Sequence, residues 1–225
     1  MRDAIKTEFI QFLRDSLSHD GVQDVYYGLR YWQNTKDYLF HAVNNPQLMS
    51  DLQDYFERYH ERVFCYELYY QLRKRIEASE LDYSGIYLQS EVRKEKLSPQ
   101  VLAHFEIAMN LNRNYMPDFL LHTPGDFSNQ LLVMEVKTNP NILLQHIEYD
   151  VQKLAEFMDQ STYRYEKGIF LCVNVQPEIV FKMISDYSDR FEGISEAVKS
   201  ELLIVGASIQ PSRTLVMRTL LELVG

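Results

Sequence analysis

The chain has 225 residues, with 23 Lys+Arg against 32 Asp+Glu and a formal charge of −9. That length suffices for one domain with a sizeable core, or one domain plus an appendage, and a hydrophobic content of 46% is too apolar for disorder. The acid excess excludes a protein that coats nucleic acid or anionic membrane by bulk charge, so a polyanion partner needs a local basic patch or bound cations. Two cysteines, Cys65 and Cys172, cannot make a disulfide framework, and without a C-x-x-C motif a thiolate zinc site is disfavoured. The apolar runs are too short for a membrane span, and the first ten residues read as a helix rather than a signal peptide. The expected location is the cytoplasm.

In chain order, Ile5, Phe9, Phe12 and Leu13 recur at helical spacing, and Asp20-Gly21 interrupts them. Two further short helices are expected over 22–32 and 36–43. Asn45-Pro46 is a helix start, and the lack of Gly or Pro to residue 78 predicts one long helix. Residues 84–94 alternate as a strand does. Ser98-Pro99 opens a short helix to about residue 110. Strands follow over 116–122 and 130–137 around a turn holding Pro124 and Gly125, the second so continuously apolar that it is expected to be buried on both faces. A helix over 142–158 places Ile142, His146, Tyr149, Lys153, Leu154 and Phe157 on one face. Then come a strand over 168–175, a helix over 177–187, a strand over 202–207 and a closing helix over 215–223. The order predicts an α/β fold with an N-terminal helical extension over 1–45 packed on a domain over 46–225.

Chemistry concentrates in 116–137. Glu135 and Lys137 sit at the end of the apolar strand, two residues apart and so on one face. Burying such charges is costly unless they pair or bind something. A hairpin centred between Asp126 and Phe127 pairs residues whose numbers sum to 253, which sets His122 opposite Leu131 and Asp118 opposite Glu135. Opposed carboxylates repel at about 5 Å. A divalent cation bridging them, with Lys137 beside them, offsets that repulsion. An all-oxygen donor set suits Mg²⁺, and the Val136 carbonyl is a candidate further ligand. The plain alternative is a structural ion pair at a sheet end.

Pro117-Asp118 followed by Glu135-Val136-Lys137, with 16 residues between the two acids, resembles the PD-(D/E)XK nuclease superfamily. The resemblance covers about residues 60–175. It implies a restriction-endonuclease-like αβββαβ core, with a mixed central sheet flanked by helices, and an Mg²⁺- or Mn²⁺-dependent nuclease. DNA is the expected substrate, in a restriction, defence, repair or mobile-element setting. By that resemblance Asp118 and Glu135 hold the metal, and Lys137 orients or deprotonates the attacking water. Members often add an acid from the helix before the first strand. Glu67 is preferred to Glu61 here, because it shares a helix face with Phe64, Leu68 and Gln71. A polar residue from the following helix is also common, and Lys153 or Gln152 occupies that place. Arg73, Lys74 and Arg75 form the densest basic cluster and are candidate phosphate contacts, or simply a solvated helix end.

No His-Glu-x-x-His, P-loop or Gly-x-Ser-x-Gly motif is present, which disfavours zinc hydrolases, P-loop NTPases and α/β-hydrolases. The tyrosine-rich N-terminal helices read as packing, or as a surface for a homodimer or protein partner. The competing expectation is a catalytically silent protein of the same fold that serves as an interaction or assembly module.

Overall fold

A computed structural model describes residues 1–18, 22, 46–109, 111–127, 129–159, 161–208 and 214–225, and for 46–60 the backbone alone. The helices expected over 22–32 and 36–43 lie outside the described residues. Helix α1 (Arg2–Leu17) buries Ile5, Phe9, Leu13 and Leu17. Helix α2 (Pro46–Glu77) starts at the proline, and its 32 residues span about 48 Å at helical rise. Strand β1 (Tyr87–Ser90) is shorter than its alternating pattern. Glu91 takes φ 53°, a left-handed conformation that ends the strand. Helix α3 (Pro99–His104) begins with the Ser98 hydroxyl accepting from the Val101 N–H and ends before Glu106, again at positive φ, short of the expected residue 110.

Strands β2 (Phe119–His122) and β3 (Gln130–Lys137) form the expected hairpin. Phe119, Leu120 and Leu121 face Met134, Val133 and Leu132, the predicted register. A bulge between Leu121 and His122 then sets His122 opposite Gln130 instead of Leu131. Helix α4 (Leu144–Met158) leads to β4 (Lys167–Val173), parallel to β3. Helix α5 (Pro177–Asp186), a 3₁₀ turn (Ser188–Phe191) and α6 (Glu196–Glu201) lead to β5 (Leu202–Ser208), parallel to β4.

The closing helix expected over 215–223 is corrected. Thr214–Thr219 is strand β6, antiparallel to β5, and only Leu220–Val224 is helical (α7). Two threonines and Val216 favour a strand, and β5 offers an open edge to pair with. Thr219 closes β6 and caps α7 through a reciprocal capping box with Glu222.

The result is an α/β protein with an open mixed sheet in the order β1-β2-β3-β4-β5-β6, flanked by helices. Strand alternation assigns the two faces. Phe119, Leu121, Leu132, Met134, Ile169 and Leu171 pack with residues of α1 and α2. Leu120, Val133, Phe170 and Ile204 pack with residues of α4, α5 and α7. Because helices cover both sides, β3 needs a continuous apolar run, and the charged residue buried within it is Glu135, 3% exposed. Among the described residues no helix is long and apolar enough to cross a membrane.

Candidate active site

By alternation Glu135 lies on the α4 face with Val133. Continuing the hairpin register one step past Phe119 places Asp118 across from Glu135, on that same face. Asp118 stands where β2 begins, and its Oδ2 accepts from the Val136 N–H at 2.7 Å, capping the ladder. Its carbonyl accepts from the Glu91 N–H, which ties the end of β1 to the same point.

Two residues of α4 complete the face. Lys153 Nζ lies 2.7 Å from Glu135 Oε1, and both side chains are buried. Asp150, also buried, has Oδ2 3.4 Å from Lys137 Nζ. From the opposite layer, Glu61 of α2 brings Oε1 to 3.5 Å from the same ammonium. Lys137 also donates to the Val136 carbonyl at 3.1 Å, so that candidate metal ligand is already engaged by an ammonium.

Four carboxylates therefore face two ammonium groups, a net −2 if all are ionised. Burial pushes the Glu61 carboxyl up to about 7, against the pull of Lys137. Burial also raises Asp118, opposed by Lys137 and the Val136 hydrogen bond. Glu135 stands well above the ordinary carboxylate value through burial and the Asp118 charge, with Lys153 opposing. Burial pulls the Lys137 ammonium down, but the combined fields of Asp150, Glu61, Asp118 and Glu135 outweigh it and hold it above the ordinary lysine value. Cys65, buried beside the cluster, has its thiol raised by burial and then by Asp118 and Glu61.

Two expectations are corrected. Glu67 is not brought to the site; its Oε1 accepts from Gln71 Nε2 one turn along the helix. Glu61 takes the place instead, because it lies one turn before Phe64 and Cys65, on the stripe that continues through Leu68 and Leu72 and packs on the sheet. Gln152 is exposed and points away, bonding Glu148 and the Arg190 carbonyl beside a separate cleft of about 340 Å³.

The basic cluster is engaged elsewhere. Arg73 pairs with Glu77, Lys74 lies over the Tyr70 ring, and Arg75 reaches Asp15 of α1. Sequence reasoning missed Asp150, although its step from Ile147 and to Leu154 is helical spacing on an apolar stripe. The face expected to carry His146 and Tyr149 is rotated: both are exposed, while Ile147, Asp150, Val151, Leu154 and Phe157 are buried.

Among the described residues, no three His, Cys, Asp or Glu side chains converge into a metal-ligating group, and two lysines stand among the acids. The donor set nevertheless fits a hard divalent cation. It is all oxygen, and net negative if all four acids are ionised, although Glu135 Oε1 and Asp150 Oδ2 each lie against an ammonium, at 2.7 and 3.4 Å. No family model, no curated protein and no solved structure matches the chain.

Proposed function

We propose that the chain is a metal-dependent nuclease of the PD-(D/E)XK type with a restriction-endonuclease-like core, hydrolysing phosphodiester bonds in DNA. The observation that carries this reading is the cluster at the end of β3. Asp118, Glu135, Glu61 and Asp150 supply more negative charge than Lys137 and Lys153 offset. The order α2-β1-β2-β3-α4-β4, with α3 inserted between β1 and β2, agrees with the αβββαβ core that the resemblance implies.

Asp118 and Glu135 are the residues to hold Mg²⁺ or Mn²⁺, with Glu61 as the helix-borne acid. A bound divalent cation supplies Lewis acidity at the phosphoryl oxygen and an acidified water. Lys137, kept protonated by its acidic neighbours, orients the attacking water and sets positive charge against the developing phosphorane oxygen. Asp150 and Glu61 hold the Lys137 ammonium in place, and Lys153 holds Glu135.

Cleavage of plasmid, linear and single-stranded DNA in Mg²⁺ or Mn²⁺ tests the proposal. Asp118→Ala is expected to abolish it, and Lys137→Ala to slow it about 10²- to 10³-fold. A wild type that cuts no better than Asp118→Ala sinks the enzyme reading. The Lys153–Glu135 contact also favours a second reading, a silent protein of the same fold in which lysines neutralise the acids permanently. That reading expects no Mn²⁺ heat by calorimetry, whereas the nuclease expects binding that Glu135→Ala removes.

A further inference from the structure

Arg113 lies at the surface, in the irregular segment between α3 and β2. Its guanidinium carbon sits 5.3 Å from the Tyr149 ring centroid and 6.0 Å from the Tyr115 ring centroid. None of the ion pairs among the described residues engages it. Glu156, which approaches this segment from α4, is taken up instead by the Asn112 backbone and amide and by the Tyr115 hydroxyl.

The Tyr115 ring that Arg113 rests on is also the ring beneath Lys153 Nζ, 5.8 Å from its centroid, and that same Nζ contacts Glu135. Tyr149 immediately precedes Asp150, which faces Lys137. Arg113 is thus joined to the acid cluster through one side chain on each path, and Tyr149 is 44% exposed at the rim.

We propose that Arg113 is a phosphate clamp, gripping a nucleic-acid backbone phosphate that flanks the scissile one. The inference rests on the nuclease reading and names how that site holds its substrate. Two tyrosine rings lie against the guanidinium, and no hydrogen bond or ion pair among the described residues engages its N–H groups, which leaves them available for a bidentate grip on phosphate. The need for such a group follows from charge. A chain of −9 with an acidic cluster at its centre repels a polyanion unless a cation without a carboxylate partner stands at the rim. Tyr115 and Tyr149 contribute to this grip by holding Arg113, and are positioning residues.

The test measures binding of labelled single-stranded and duplex oligonucleotides to the full chain across a salt series. The parent is Lys137→Ala, in Mg²⁺, where cutting is slowed about 10²- to 10³-fold and binding is read before product accumulates. Arg113→Ala is expected to weaken binding about tenfold and to lower the log–log salt slope by about 0.7–0.9, the signature of one lost phosphate contact. Arg113→Lys is expected to restore the slope but only part of the affinity, since an ammonium cannot make the planar grip. Tyr149→Ala is expected to lose affinity at constant slope, and Tyr149→Phe to keep it.

Parental affinity and slope in Arg113→Ala overturn the clamp. A wild type that cuts DNA while Arg113→Ala cuts with unchanged KM and salt dependence overturns the clamp and leaves the nuclease standing. Binding through Arg113 by a wild type that never cuts does the reverse. No binding by the parent at low salt overturns both.

Discussion

At the residue scale, Glu135 shows why a buried charge needs company. It occupies a strand position with apolar neighbours on both sides, and the nearby positive charge is the Lys153 ammonium at 2.7 Å. Removing one partner of such a pair costs more than removing both, because the survivor stays buried without its counter-charge. In metal-free buffer Lys153→Met is therefore expected to destabilise the fold by about 3–5 kcal/mol. The double variant Lys153→Met/Glu135→Leu is expected to recover much of that loss, since a leucine suits the β3 environment. Urea titrations of the two proteins decide it, and a double variant no more stable than the single one means that the acid is held by something other than Lys153.

Glu61 makes a second residue-scale prediction, in pH. Its carboxyl rises from 4.5 to about 7 on folding, chiefly by burial. Between those values the folded chain holds a proton that the unfolded chain has released. Stability from this group is thus fully present below the unfolded value and is lost as pH rises through the folded one. Metal-free Tm is expected to fall from about pH 5 to pH 8 more steeply in wild type than in Glu61→Gln, whose neutral amide carries no such proton. Equal slopes for the two proteins remove Glu61 as the source.

At the scale of elements, the β2–β3 hairpin was legible because register follows from turn position and from which face must be apolar. Residues 119–121 pair as expected, and the Asp118–Glu135 juxtaposition follows. The bulge at His122 was not legible, since it depends on how the turn closes. The choice of Glu67 over Glu61 failed because α2 carries tyrosines on several sides. Which stripe is buried depends on the sheet beneath it, as Phe64, Cys65, Leu68 and Leu72 reveal. Asp150 went unseen because a single acid in an apolar stripe looks like an error of phase. Strand β6 looked helical because Leu220 and Leu223, which do form a helix, extended the apolar pattern of the strand before them.

The α5–β5 junction supplies a prediction at this scale. A Cβ on Gly206 would meet Pro177 Cα at 2.7 Å, so β5 and the first turn of α5 touch backbone to backbone. Neither partner can rotate away, and Gly206→Ala is expected to cost about 1–3 kcal/mol as overpacking. Gly193, where a Cβ meets nothing within 4 Å, is the matched control. Gly193→Ala is expected to leave the urea midpoint unchanged. A Gly206→Ala midpoint equal to the control's shows that the helix can slide on the sheet.

At the scale of the whole molecule, the charge of −9 and the cluster at the end of β3 belong to one electrostatic argument. Four carboxylates stand near two ammonium groups, and burial raises the Glu61 carboxyl to about 7 and the Asp118 and Glu135 carboxyls above their ordinary values, so the folded site disfavours bare negative charge. A divalent cation at this site binds the folded chain and has no preformed site in the unfolded one. It therefore stabilises by RT ln(1 + [L]/Kd), about 2.7 kcal/mol at a hundredfold excess over Kd. Mg²⁺ or Mn²⁺ is expected to raise Tm at pH 7.5, while NaCl at matched ionic strength does not. Asp118→Asn and Glu135→Gln are expected to lose the shift. The same cation lowers the local repulsion that a phosphate backbone meets, so DNA affinity and thermal shift are expected to rise over the same range of metal concentration. Ca²⁺ in place of Mg²⁺ separates binding from cutting in that comparison. A Tm that rises with metal while DNA affinity stays flat means that the cation serves only the fold, and that substrate is held elsewhere on this acidic surface.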